Sequence, residues 1–130
     1  MAYELFDSKA IRIGSPALTI GTDGRVTLNA DVGDILASLG ARYAQILWDR
    51  ESFRLAIRPL TRRDQRAFKL TVVQGKRGAS FHARSFLNYI QWQPSNRFTT
   101  AVHWNEKEGL LETVLPRERV GVVAQAKSRK

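Results

Sequence analysis

Apolar and polar residues alternate along most of this chain, and helical spacing replaces the alternation in two places. Leu18 to Ile20 and Arg25 to Asn29 are short runs of strand formers. Gly21-Thr22-Asp23-Gly24 lies between them, and an Asp-Gly pair flanked by such runs predicts a hairpin. Val26 and Leu28 share one strand face, Arg25 and Thr27 the other. Asn29 then has the chemistry of a helix N-cap, with Asp31 in the first turn where the helix dipole favours an acid. Val32, Ile35, Leu36 and Leu39 fall at i, i+3, i+4 and i+7, and Gly40 supplies the left-handed residue that stops a helix. Tyr43 to Trp48 and Phe53 to Pro59 alternate again and predict a second hairpin around Asp49-Arg50-Glu51-Ser52.

After a polar connector, Leu60 to Arg66, the same order of signals restarts. Phe68, Leu70 and Val72 alternate as a strand, Gln74 to Gly78 turns, and Ser80 to Ala83 extends. Ala83, Phe86, Leu87 and Ile90 have helical spacing and predict a short helix running to about Trp92. Gln93-Pro94-Ser95-Asn96 ends it, and Phe98 to Trp104 with Leu110 to Pro116 makes a hairpin around Asn105 to Gly109. Trp48-Asp49 through Ile57-Arg58-Pro59 is answered by Trp104-Asn105 through Val114-Leu115-Pro116. The pattern therefore predicts a mainly β chain with two short helices, an α+β class. Its tandem strand-strand-helix-hairpin repeats, 17–59 and 67–116, would form a pseudo-dimeric barrel. Neither unit has enough surface to hide its own helix stripe and sheet faces, so each needs the other. Residues 1–120 are expected to make one domain, with a short strand at Ala10 to Ile13 and a flexible basic tail over 121–130.

Composition narrows the chemistry. The chain has 130 residues, 43% of them hydrophobic, enough for one core. It has no cysteine, which removes disulfides, thiolate metal sites and a cysteine nucleophile. The opening segment carries acids and no apolar run, so it does not read as a signal peptide, and no stretch has the length of a membrane span. A cytoplasmic protein is expected, nucleoid-associated if it binds DNA. Charge changes the picture more. Twenty-one Lys and Arg face twelve Asp and Glu, a net charge of +9. Arg58, Arg62, Arg63, Arg66, Lys69, Lys76 and Arg77 crowd one short stretch against Asp64 alone. A focused positive field of this kind attracts polyanions.

The run Gly24-Arg25-Val26-Thr27-Leu28-Asn29, the short helix closed by Leu39-Gly40, and the hairpin ending Leu55-Ala56-Ile57-Arg58-Pro59 resemble the AbrB-like swapped-hairpin family. With the second copy in the same chain, the resemblance is to its tandem, MraZ-like members. It implies two units joined as one pseudo-symmetric DNA-binding barrel. It also carries the family's basic strand onto Arg25 and its hairpin end onto Arg58, with Arg84 in the second copy at the place of Asn29. Charge alone adds Arg62, Arg63, Arg66, Lys76 and Arg77. Arginine suits the role because its planar fork meets phosphate oxygens and guanine edges with two bonds at once. The structural alternative for Arg25 and Arg58 is a rim salt bridge with Asp23, Asp31 or Asp49.

Other chemistry finds little support. His82 and His103 are the only histidines and lack ligand-type spacing, so neither a metal site nor a cofactor is expected. Gly75-Lys76-Arg77-Gly78 is a basic turn without the length of a nucleotide loop. No carboxylate pair or nucleophile triad stands out, so no catalytic residue, enzymatic activity or small-molecule substrate is expected. Trp48, Trp92, Trp104, Phe53, Phe81, Phe86, Tyr89 and Phe98 read as core. The expected function is a non-enzymatic DNA-binding protein, a transcriptional regulator contacting duplex phosphates through an Arg-rich face, with room for a homodimer. The alternatives are a single-strand binder with Whirly-like sheets, for which the aromatics would be stacking platforms, and an antitoxin-type protein-interaction module.

Overall fold

A computed structural model describes residues 16–72, 78–93 and 96–121. The first hairpin forms as its turn residues dictate. β1 (Ala17–Ile20) and β2 (Arg25–Leu28) pair antiparallel, Leu18 opposite Leu28 and Ile20 opposite Val26. These four residues are buried, while Thr19 and Thr27 face outward. Asn29 then caps α1 (Ala30–Leu39): its Oδ1 accepts the Val32 N–H at 3.2 Å and also the Ala17 N–H at 3.2 Å. One side chain thus starts the helix and fixes it to the first strand. Val32 and Leu36 are buried, Ile35 packs at the core margin, and Leu39 is left 44% exposed.

β3 (Tyr43–Asp49) and β4 (Arg54–Leu60) form the second hairpin. Asp49 Oδ1 accepts the Glu51 N–H at 3.0 Å, and Phe53 closes the turn with a φ of 57°. The later turn repeats the device: Asn105 Oδ1 accepts the Glu108 N–H at 3.1 Å, and Gly109 closes it at 70°. Short Asx side chains make such turns because they bond their own following backbone.

The second half runs β5 (Ala67–Lys69), β6 (Thr71–Val72), β7 (Ala79–His82), α2 (Arg84–Ile90), β8 (Phe98–Ala101), β9 (His103–Asn105) and β10 (Leu110–Val114). Two expectations are corrected here. The alternating stretch around Leu70 is two strands rather than one, and so is that around Val102. Each breaks at a buried apolar residue, Leu70 or Val102, where the chain leaves one sheet for the other. The helix expected to reach Trp92 stops at Ile90, because Gln91 turns left-handed at φ 57° and Trp92 bridges to Val120.

The ladders close into two five-stranded antiparallel sheets, ordered β6-β7-β2-β1-β8 and β5-β3-β4-β10-β9. The pseudo-dimeric barrel expected from the sequence does not close. The bends at Leu70 and Val102 end one ladder before the next begins, so no ladder runs all the way round. Pairing between the halves is reciprocal. β2 pairs with β7 and β4 with β10, each joining a strand of the first half to one of the second. β1 of the first half pairs with β8 of the second, and β3 of the first with β5 of the second. The halves are interlocked rather than stacked.

Both sheets turn their apolar faces to one core. Leu18, Ile20, Leu28 and Phe81 come from one sheet, Leu55, Ile57 and Leu111 from the other. Of the aromatics expected inside, Phe53, Phe81 and Trp92 are buried, and Trp48, Phe86, Phe98 and Trp104 pack against the core. Tyr89 is the exception, 66% exposed. The outer face of the first sheet is polar: Thr71, Ser80, Thr27, Thr19 and Thr99 lie side by side, one on each strand. The chain after β10 makes a short 3₁₀ turn, Arg117–Arg119. Arg119 then donates to the Gln93 carbonyl at 2.6 Å and the Asn96 carbonyl at 2.7 Å while its guanidinium lies 4.4 Å from the Trp92 ring centre. Among the described residues no helix is long and apolar enough to cross a membrane. The expected strand at Ala10 to Ile13 and the tail beyond Gly121 lie outside the described residues.

Candidate nucleic-acid interface

Because the sheets share one core, their outward faces look away from each other, and the arginines singled out from the sequence divide between them. Arg25 and Arg84 lie on the first sheet's side, where β2 and β7 meet. Arg25 stands opposite His82; its Nη1 donates to Ser80 Oγ at 3.2 Å and its Nη2 lies 3.1 Å from His82 Nε2. Arg84 Nη2 donates to the Asp23 carbonyl at 2.7 Å. Asp23 in turn accepts the Arg25 N–H at 3.1 Å, and this bond holds its carboxyl below the usual carboxylate range. Arg25 is therefore held by a hydroxyl and an imidazole. Its bond with Asp23 is made through its backbone N–H.

The backbones pass closely at this place. Ala83 donates its N–H to the Gly24 carbonyl at 2.8 Å, and Gly24 has a φ of +91°. A Cβ on Gly24 would lie 3.2 Å from Arg84 Cβ; one on Gly78 would lie 2.4 Å from the Leu28 carbonyl oxygen. Glycine is required at both because each half's helix entry lies against the other half's strand.

The second sheet's side gathers the rest. Arg58 lies on the outward face of β4 opposite Gln45, and its Nη1 donates to Gln45 Oε1 at 3.2 Å. Arg62, Arg63 and Arg66 are exposed along the connector. Arg42 precedes β3, its N–H bonded to the Leu60 carbonyl at 2.8 Å, and Lys69 pairs across from Tyr43. Asp64 is the acid of the connector, and it serves the loop: its Oδ1 accepts the Arg66 N–H at 2.8 Å and its carbonyl the Ala67 N–H at 3.0 Å. Lys69 belonged to the crowded basic stretch but was not among the contact residues expected, and Arg42 was in neither set. Arg42 lies outside the crowded stretch, and only strand pairing places it beside the connector. Lys76 and Arg77 lie outside the described residues.

An open hollow of about 390 Å³ lies within this cationic face, lined by Tyr43, Arg63, Asp64, Gln65, Ala67 and Lys69. A second, of about 560 Å³, lies between the end of α1 and the β9–β10 turn, with Leu39, Leu60, Trp104 and Glu106 in its wall. His82 and His103 are both exposed. Among the described residues no three His, Asp or Glu lie close enough to hold a metal ion.

Comparison with protein-family models, with curated proteins and with solved structures gives no match to this chain.

Proposed function

We propose that this chain is a non-enzymatic DNA-binding protein, a transcriptional regulator that holds duplex DNA by its phosphates. One observation carries the reading. Arg42, Arg58, Arg62, Arg63, Arg66 and Lys69 are all exposed, on the connector and on or beside the strands next to it, and Asp64 is the one acid of the connector. An excess of exposed guanidinium groups supplies the sequence-independent part of DNA affinity. Arg25 and Arg84 face the other way and are engaged locally, so they take the lesser part.

The halves are read as two AbrB-like units interlocked in one chain. Support comes from the reciprocal pairing, β2 with β7, β4 with β10, and β1 with β8 answered by β3 with β5. The matched Asx turns at Asp49 and Asn105 add to it.

A duplex titration across salt tests the function. The logarithm of affinity should fall linearly with the logarithm of salt, by roughly 0.9 per phosphate contact. The variant R62Q/R63Q/R66Q should lower that slope by about 2 to 3, and R25Q/R84Q by less than about 1. Absence of binding at low salt ends the proposal. The reverse ranking of the variants moves the contact to the first sheet's face.

A further inference from the structure

Tyr43 occupies the outward face of the second sheet, opposite Leu60 on one neighbour and Lys69 on the other. It forms part of the wall of the 390 Å³ hollow, together with Arg63, Asp64, Gln65 and Lys69. That volume lies in the range of roughly 300–1,000 Å³ found for small-molecule sites. An aromatic ring and two cations lining one space of this size suit a planar base joined to a phosphate. The ring offers stacking to any base, the lysine a point charge and the arginine a two-pronged fork for phosphate oxygens. Asp64 lies in the same wall and offsets one of the two cations, which leaves the lining with a net charge of +1.

The reciprocal ladder shows what a purely structural pair looks like in the same place. There Thr19 of β1 lies opposite Thr99 of β8, their hydroxyls 2.8 Å apart. Two small side chains satisfy each other and leave neither ring nor charge. The Lys69–Tyr43 pair departs from this on one side of the molecule only.

We infer that the hollow takes one unpaired nucleotide, its base on the Tyr43 ring and its phosphate between Lys69 and Arg63. This rests on the nucleic-acid reading of the connector face and narrows it to DNA that presents an unstacked base, at a bulge, a gap or a single-stranded end. Extruding such a base costs least where it is already unpaired.

The test is fluorescence anisotropy of the full chain with a perfect duplex and with the same duplex carrying a one-nucleotide bulge. The wild-type chain should prefer the bulged DNA about ten-fold, in keeping with the energy of stacking one base on an aromatic ring. Tyr43→Leu should abolish the preference and leave affinity for the perfect duplex unchanged. Tyr43→Phe should keep it. Lys69→Gln alters an exposed side chain, so it reports even where Tyr43→Leu fails to fold; it should weaken the bulged complex several-fold more than the perfect one. Equal wild-type affinity for the two DNAs overturns the inference and leaves the general reading standing. So does a bulge preference that survives in Tyr43→Leu or is unmoved in Lys69→Gln. Absence of binding to either DNA overturns both.

Discussion

Ala83 donates its backbone N–H to the Gly24 carbonyl at 2.8 Å, which joins the start of the second helix to the turn of the first hairpin. Gly24 adopts a φ of +91° there, with Arg84 Cβ 3.2 Å from where a methyl group would sit. Gly24→Ala should cost about 1–3 kcal/mol from backbone strain alone. Gly78→Ala meets a carbonyl oxygen rather than a side chain, so it should cost at least as much. Urea unfolding measures both, with the midpoint falling while the slope stays constant.

Asn29 offers a measure of how α1 is fastened to the first hairpin. Its Oδ1 serves the Val32 N–H of α1 and the Ala17 N–H of β1 together. Asn29→Ala should lower stability by about 1–2 kcal/mol, the upper range for a lost cap. Asn29→Asp keeps both acceptor bonds and should cost far less. Thermal melting of the two variants side by side checks this.

The C-terminal turn depends on one guanidinium. Arg119 bonds two carbonyls of the Gln93–Asn96 loop and covers the Trp92 ring. Arg119→Ala should destabilise by about 1–3 kcal/mol through lost hydrogen bonds and the ring contact. Arg119→Lys should recover little of it, because an ammonium cannot stack flat on the indole while reaching both carbonyls. Tryptophan fluorescence, read through unfolding, reports the change at Trp92.

Acid should weaken the fold through two turn carboxylates. Ser52, then the Glu51 N–H, holds Asp49 below its usual 3.8, and the Arg25 N–H does the same for Asp23. A depressed pKa in the folded chain means the carboxylate form stabilises it. That contribution is full above about pH 3.8 and is lost as pH falls through the lower folded values. Asp49→Asn, matching the Asn105 of the later turn, should keep the turn and flatten its share of the pH dependence. Stability measured from pH 6 down to about pH 2 would show it.

Local chemistry was the part of this fold readable in the residues. The Asp23-Gly24 turn, the Asn29 cap, the Gly40 stop and the hairpin around Asp49 all lie where their side chains direct. Each depends on neighbours a few positions away. What happens at Leu70 and Val102 was not readable, because alternation continues across both while the strands change sheet. The second helix misled at its end: Trp92 has the right character for its stripe, yet packs on Arg119 and pairs with Val120. For the candidate site, residue type pointed to the connector arginines, and the connector is exposed. The separation of Arg25 and Arg84 from Arg58 was hidden, since facing is decided by which sheet a strand joins. Tyr43 gave no signal of its own; pairing with Lys69 is what sets it in a basic hollow.

The bond between Thr19 and Thr99 spans 80 positions. A ribosome adding roughly 5–20 residues each second needs several seconds to deliver the second after the first. Through that interval β1 of the nascent first hairpin has an unmatched border, as β2 has until β7 arrives, and each is a row of backbone donors and acceptors open to whatever strand comes first. Correct folding in the cell is therefore a race that translation speed and holding chaperones can tilt, and a slower transcript would lengthen the exposure.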